Sequence, residues 1–160
     1  TSDCYCEVMR KHLKNQTHVL VDIENLCGSG QFTQAEACAA RTMVESAVPL
    51  PYDARVTVGT SSDEACLEAW LAWRGPQHVR RHGQDGADLA LAEVALNENL
   101  IDRCSHVVIC SGDGLFAILA QYLRAHGVRV TVVCRPGSLS RALASHADEV
   151  LNLSALGRAA

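Results

Sequence analysis

The chain alternates between short runs of apolar residues and longer stretches in which apolar residues recur every three or four positions. Short runs of Val, Ile and Leu that stop at charged or turn residues are typical of strands buried in a sheet. The longer stretches are rich in Ala and Leu, which is typical of helices. The predicted strands are THVLVDI (17–23), ARVTVG (54–59), a short polar segment (77–81), SHVVICS (105–111), VRVTVVC (128–134) and EVLNL (149–153).

Helical stretches fill the gaps between these strands, and a further amphipathic segment precedes the first one. The predicted helices cover residues 3–14, 33–47, 61–73, 86–99, 115–126 and 140–145. Strands that alternate with helices form parallel sheets with helices on both faces. We therefore predict a three-layer αβα fold around a central, mostly parallel sheet. Residues 1–15 are expected to form an N-terminal helical extension, and residues 16–160 the domain itself.

Polar residues at the predicted helix starts indicate how three of the helices begin. Thr33 with Glu36, and Ser61 with Glu64, match the capping box. In that motif the first side chain and the acid three residues later each bond the other residue's backbone. Asp85 stands where it would cap the helix that follows it.

Three aspartates lie where predicted strands or helices reach the carboxyl edge of the sheet. Asp22 ends the first strand, Asp113 follows the strand of 105–111, and Asp88 lies in the first turn of a helix. Taken singly, each has an ordinary explanation as a turn, loop-capping or first-turn residue. Together they are expected to converge, although two carboxylates about 4 Å apart repel by roughly 4 kcal/mol at an effective dielectric constant of about 20. Protons, an Arg or Lys side chain, or a cation can offset that repulsion. Because carboxylate oxygens are hard ligands that suit Mg²⁺ or Mn²⁺, we predict a divalent-metal site.

Composition and charge narrow the range of functions. The chain has 160 residues, the size of one domain, and a net charge of −4, whereas proteins that coat nucleic acids are strongly basic. It shows no apolar stretch long enough to cross a membrane and no signal-peptide pattern near its start. Its eight cysteines include no C-x-x-C pair, which argues against a zinc ribbon or finger. We expect reduced thiols and a cytoplasmic location, with Cys110 and Cys134 as small core residues.

Four segments resemble the NYN domain family, a branch of the PIN-like metal-dependent nucleases. VLVDIENL (19–26) is similar to the family's first-strand motif, which ends in D-x-x-N. GADLALAEVA (86–95) is similar to the segment that carries the second aspartate at a helix start. VVICSGDGLFAILAQYLRAHGVRVTVV (107–133) is similar to the S-x-D-x-D-F segment and the next strand, and SRALASHADEVLNL (140–153) to the family's last helix and strand. The resemblance covers nearly the whole chain after Asn15.

This resemblance implies a PIN-like, Rossmannoid fold and a ribonuclease that hydrolyses RNA phosphodiester bonds with Mg²⁺ or Mn²⁺. It makes Asp22, Asp88 and Asp113 the metal ligands and the catalytic residues. It makes Asn25 a residue that orients the first loop or binds phosphate. Glu24 becomes an auxiliary acid and a further candidate for the metal.

Leu115 stands where the family often has another aspartate. Three alternatives follow: one metal suffices, Glu24 substitutes, or the activity is weak or lost, in which case the domain binds RNA or a protein partner without cleaving. A haloacid-dehalogenase-like phosphatase is a more distant alternative, because its chemistry needs D-x-D after the first strand and the chain has DIE (22–24). A dinucleotide-binding domain is disfavoured, because CGSG (27–30) lacks the required glycine pattern.

Positive charge near the carboxylates is expected to bind the RNA backbone. Arg80 and Arg81 precede the second aspartate in a densely basic stretch, and Arg135 follows a strand, with Arg141 soon after it. We predict that these arginines contact phosphates. Taken singly, each is explained as well by a solvated edge. Trp70 and Trp73 lie three residues apart on one predicted helix face, where they would stack on bases or, more often, pack in a core or an interface. With the N-terminal helix, they are the expected contact surface for a second copy or a protein partner.

Overall fold

A computed structural model of the chain describes the backbone of residues 2–153 and the side chains of residues 4–9 and 14–153. The strands are β1 (Gln16–Asp22), β2 (Arg55–Thr60), β3 (Gln77–Arg80), β4 (Cys104–Cys110), β5 (Arg129–Cys134) and β6 (Glu149–Asn152). They form one sheet in the order β3-β2-β1-β4-β5-β6, and each neighbouring pair is parallel. The predicted central sheet is confirmed, and within the described residues it is entirely rather than mostly parallel.

Helices cover both faces of this sheet and make three layers. In chain order the described helices are α1 (Ser2–Leu13), α2 (Ile23–Cys27), α3 (Gln34–Ala47), α4 (Asp63–Ala72), α5 (Gly86–Asn97), α6 (Leu100–Arg103), α7 (Phe116–Ala125) and α8 (Arg141–Ala144). One face packs against α2, α3 and α4, and the other packs against α5, α6, α7 and α8. Successive strand residues point to opposite faces, and both sets are apolar here, so each face buries its own core.

Small and aliphatic side chains build both cores, because aromatic residues make up only 4% of the chain. Alanines of α3 and α4 pack on valines of β1, β2 and β4 on one face. Leucines of β1, α5 and α7, together with Phe116, fill the other. The expected core packing is confirmed for Trp73, which is 6% exposed and belongs to the first core, whereas Trp70 is 44% exposed.

Several element boundaries differ from the prediction for local reasons. The helices α2 and α6 were not predicted, because five-residue and four-residue helices are too short to show a periodic apolar pattern. The N-cap of α4 is Ser62, whose hydroxyl accepts from the N–H of Ala65, rather than Ser61. Asp85 occupies the N-cap position of α5, but its side chain makes no capping hydrogen bond and its φ is +57°. By contrast, the capping box of Thr33 is present as predicted.

The structure also tests the expectations about the cysteines and about membrane-spanning segments. All eight cysteines are free thiols, and Cys110 and Cys134 are buried in the cores, as predicted. None of the helices in residues 2–153 combines the length and the apolar character that a membrane-spanning segment requires. The last seven residues of the predicted domain, 154–160, lie outside the described residues.

Candidate active site

The centre of the carboxyl edge is the place where the order of the strands reverses. The strands β1 and β4 lie side by side, with β2 and β3 beyond β1 and with β5 and β6 beyond β4. Loops that leave β1 and β4 therefore run in opposite directions and open a crevice, which is where open parallel sheets bind ligands. Asp22, the last residue of β1, and Ser111, directly after β4, stand on its two sides.

The carboxylate of Asp22 is buried and fixed by two hydrogen bonds. Its Oδ1 accepts from the backbone N–H of Asn25 at 3.1 Å, which caps the short helix α2. Its Oδ2 accepts from the hydroxyl of Ser111 at 3.0 Å. One side chain thus begins α2 and also joins β1 to β4, so the backbone of both strands sets its position.

Two glycines allow the start of α5 to lie directly on the sheet. A Cβ at Gly59, on β2, would lie 2.9 Å from the carbonyl oxygen of Ala87. A Cβ at Gly86 would lie 1.8 Å from the carbonyl oxygen of Arg81. Both distances are shorter than real Cβ contacts, so only glycine permits this approach of two backbone segments. The first turn of α5 is therefore held against the crevice.

Asp88 lies in that turn, and its carboxyl group is in hydrogen-bonding contact with the carboxyl group of Asp22. Both residues are buried, at 7% and 3% exposed respectively. Burial raises the pKa of both carboxyl groups, and the contact with Asp22 raises the pKa of Asp88 further. Among the described residues, no ion pair involves either aspartate. A shared proton or a bound cation must therefore offset the repulsion between them.

The donor atoms at this contact fit a hard divalent cation. Carboxylate oxygens face each other, and the hydroxyl of Ser111 lies behind them on Asp22. Oxygen ligands of this kind are those that Mg²⁺ and Mn²⁺ prefer in proteins. A cation in this position would take the place of the shared proton and would favour the charged form of both carboxyl groups.

Asp113 lies beside this pair, but its carboxylate bonds the backbone of its own loop. Its backbone N–H donates to the hydroxyl of Ser111 at 3.1 Å, and its Oδ1 accepts from the N–H of Leu115 at 2.9 Å. Its charge is close enough to raise the pKa of Asp88. In the described part of the chain, no three Asp, Glu, His or Cys side chains lie near enough together to hold one ion. Two of the three predicted ligands are therefore in contact, and the third lies next to them.

The two other predicted residues of the first loop hold neighbouring loops in place. The side-chain oxygen of Asn25 accepts from the backbone N–H of Gly112 at 3.0 Å, so Asn25 orients the loop after β4. Glu24 accepts from the backbone N–H of Ser61 at 2.9 Å and from its hydroxyl at 2.7 Å. The carboxylate of Glu24 thus connects α2 to the loop after β2.

The predicted phosphate-binding arginines fall into two groups. Arg80 and Arg81 lie at the end of β3, and each forms an ion pair with an acidic residue of a neighbouring helix. Arg135 follows β5, and its Nε donates to the carbonyl oxygen of Asn25 at 2.8 Å. Arg135 therefore lies next to the loop that holds Asp22, whereas the other two are occupied by carboxylates.

Three residues that shape the site were not predicted from the sequence. Ser111 is completely buried and bonds both Asp22 and the backbone of the residue two positions on. Its sequence signal was a hydroxyl residue at the very end of an apolar run. Gly59 and Gly86 had weaker signals, a glycine ending a strand and a glycine opening a helix. What they contact depends on the packing of α5, which no local pattern reveals.

Comparisons with known proteins agree with the fold. Residues 16–154 match the family model described as the NYN domain. No curated protein matches the chain at a significant level. Among solved structures, the chain is similar to the crystal structure of a protein of unknown function from Vibrio parahaemolyticus, with a TM-score of 0.57 and 19% identity. The match covers 89% of this chain and 95% of that chain, and at this identity it shows the fold alone.

Proposed function

Because the chain belongs to the NYN domain family, we propose that it is a metal-dependent ribonuclease that hydrolyses RNA phosphodiester bonds at the contact between Asp22 and Asp88. The observation that carries this proposal is the contact itself. Two buried carboxyl groups lie together where the strand order reverses, and no ion pair among the described residues neutralises them. PIN-like nucleases typically use divalent metal ions, so a cation accounts for both the contact and the family.

The proposed roles of the site residues follow from their contacts. Asp22 and Asp88 would hold Mg²⁺ or Mn²⁺, and Asp113 would be a further candidate for holding the ion. Bound there, the ion would lower the pKa of a coordinated water and stabilise negative charge on the phosphoryl oxygens. Ser111 and Asn25 donate to the two oxygens of Asp22, so they keep its carboxylate from rotating away.

Fewer residues are proposed to contact the substrate than the sequence suggested. Arg135 is the proposed phosphate contact, because its guanidinium lies beside the first loop. Asn25 acts on the substrate indirectly, through the loop that its side chain orients. Glu24 is bound to Ser61 and is not proposed as a metal ligand.

Cleavage of a single-stranded oligoribonucleotide in Mn²⁺ and in EDTA tests the proposal. We expect cleavage in Mn²⁺ and none in EDTA. Asp22→Asn and Asp88→Asn should each lower the rate by at least about 100-fold, because each removes a ligand. Asp113→Asn should have a smaller effect, because its carboxylate bonds the N–H of Leu115 and is not in contact with the pair. Asp102→Asn changes an exposed acid at the opposite edge of the sheet and is the matched control. Unchanged rates in Asp22→Asn and Asp88→Asn would refute the assignment.

A second candidate function is supported by the position of Asp113 and by Leu115. Because no three ligands are assembled among the described residues, a domain that binds RNA or a protein partner without cleaving it is the alternative. Calorimetric titration with Mn²⁺ distinguishes the two. Binding that is lost in Asp88→Asn supports the enzyme, and no binding at about 1 mM Mn²⁺ supports the non-catalytic domain.

The proposed compartment is the cytoplasm. All eight cysteines are free thiols, and two of them, Cys4 and Cys6, are exposed. Exposed thiols persist in reducing compartments, where disulfides are rare.

A further inference from the structure

Charged side chains are distributed unequally on the two sides of the Asp22–Asp88 contact. On one side lies the β3 flank, which we define as the end of β3 with the first turns of α4 and α5. On the other side lies the β5 flank, the loop of residues 135–141 that leads from β5 into α8. Both flanks carry arginines, so RNA phosphates have two places to bind. The contacts of those arginines differ.

The arginines of the β3 flank are already neutralised. Arg80 pairs with Asp63 at 2.8 Å, and Arg81 pairs with Glu93. Asp85 adds an exposed carboxylate to the same flank. A phosphate that approaches from this side meets more carboxylates than guanidinium groups, and it must displace a carboxylate from an arginine to be bound.

On the β5 flank, Arg135 is held in place without being neutralised. Its Nε donates to the carbonyl oxygen of Asn25, whose own N–H donates to Asp22. Its guanidinium lies against Gly28, where a Cβ would be 3.0 Å from Nη1. Within residues 4–9 and 14–153, neither Arg135 nor Arg141 makes an ion pair. This flank therefore offers two uncompensated guanidinium groups, and one of them is fixed on the loop that follows Asp22.

The β5 flank also adjoins the crevice directly. A Cβ at Gly112 would lie 2.3 Å from the carbonyl oxygen of Ser138, so the loops after β4 and β5 touch through their backbones. The N–H of Ser140 donates to the carbonyl oxygen of Gly112 at 2.9 Å. Asp113 directly follows Gly112 in the chain. A nucleic-acid strand at the carboxylates can therefore continue across this loop towards Arg141.

We propose that the RNA backbone leaves the carboxylates across the β5 flank, where Arg135 and Arg141 bind the phosphates next to the cleaved one, and that Arg80 and Arg81 bind no phosphate. The inference rests on the proposed ribonuclease function, and it places the RNA on the β5 flank rather than on the β3 flank. Guanidinium groups match phosphate oxygens in geometry and charge, but only those that are not already bound to a carboxylate are available.

Binding of a fluorescently labelled oligouridylate tests this direction. Its anisotropy is measured in EDTA, which prevents metal-dependent cleavage, over a series of KCl concentrations. Each phosphate contact contributes about 0.7 to the slope of log affinity against log salt for a single strand. Arg135→Gln and Arg141→Gln should each lower the slope by about 0.7, and the matched variants Arg80→Gln and Arg81→Gln should leave it unchanged. Arg141 is exposed at the surface, so its variant remains informative if Arg135→Gln loosens α2.

Two results would overturn the inference. One is a lower slope in Arg80→Gln or Arg81→Gln together with unchanged slopes in the variants of Arg135 and Arg141. The other is a wild-type protein that does not bind the oligonucleotide at low salt. Cleavage in Mn²⁺ separates this inference from the proposed function. If the variants change the salt slope as expected but the wild type never cleaves RNA, only the ribonuclease function is refuted. If the wild type cleaves RNA but the slope falls in the variants of Arg80 and Arg81 instead, only the proposed path of the RNA across the β5 flank is refuted.

Discussion

At the carboxyl edge of the sheet, Asp22 and Asp88 are buried against each other, whereas nearer the amino edge His18 is buried against Thr57. In both places burial disfavours the charged form of the side chain. Burial therefore raises the pKa of the two aspartates, and it lowers the pKa of His18 to about 4. The imidazole Nε2 lies 2.8 Å from the hydroxyl of Thr57, so a neutral histidine has a partner there.

The difference separates a structural polar contact from a binding site. A neutral imidazole and a hydroxyl can form a hydrogen bond without any additional ion, and His106 repeats the arrangement with Thr131 at 2.8 Å. Two carboxyl groups in contact need a proton or a cation between them. A buried polar group is therefore a better indicator of function when its nearest neighbour carries the same charge than when its neighbour completes a neutral hydrogen bond.

The largest expected effect concerns the amino edge and its pH dependence. The pKa of His18 is 6.5 in the unfolded chain and about 4 in the folded protein, so the unfolded chain takes up a proton first as the pH falls. The free energy of unfolding is therefore not reduced by His18 above pH 6.5, and it falls by about 3 kcal/mol as the pH is lowered from 6.5 to 4. His18→Leu should remove this decrease, as measured by urea unfolding at a series of pH values. Identical pH profiles for the two proteins would show that His18 does not titrate in this way.

The next effect concerns the packing that positions the carboxyl edge. Gly86→Ala should lower the free energy of unfolding by about 1–3 kcal/mol, because the added Cβ would overlap the carbonyl oxygen of Arg81. Gly75→Ala is the matched control, since a Cβ there would have no atom within 4 Å apart from those of its chain neighbours. Thermal or urea unfolding of both variants measures the difference. Equal stabilities would mean that the start of α5 can move away from the sheet at little cost.

The smallest effect is an increase in stability. In EDTA at neutral pH, Asp88→Asn should raise the free energy of unfolding by about 1 kcal/mol, because an amide does not repel the carboxylate of Asp22. The sign follows from the pKa of Asp88, which is higher in the folded protein than its ordinary value of 3.8. The folded state holds that proton more tightly, so the stability of the metal-free protein falls as the pH rises above 3.8. Asp102→Asn should show no such gain, and a destabilised Asp88→Asn would contradict the repulsion.

The sequence allowed the fold to be predicted well because its signals are local. The runs that became β1 and β4 are apolar on both faces, and this pattern is typical of central strands in a parallel sheet. The end of the first run predicts that Asp22 lies at the carboxyl edge of the sheet. The helix α2 was missed, although Asp22 as its cap and Gly28 as the glycine after it were visible as isolated signals.

The detailed site was less predictable because it depends on packing between distant segments. Nothing near Asp88 in the sequence indicates that Gly59, on another strand, lets α5 approach the sheet. The ion pair of Arg80 with Asp63 likewise depends on how β3 lies beside the start of α4. A list of basic residues therefore cannot distinguish an arginine that is free to bind phosphate from one that a neighbouring acid already occupies.

Asp22 and Asp88 differ in their structural roles, and this difference determines which variant is better suited to crystallography. Asp22 also caps α2, so its replacement alters both the start of that helix and the set of carboxylates at the site. Asp88 has no capping role, because it lies inside the first turn of α5. Asp88→Asn is therefore the preferred variant for capturing an uncut oligonucleotide in a co-crystal, since it should leave the surface that receives the strand undisturbed.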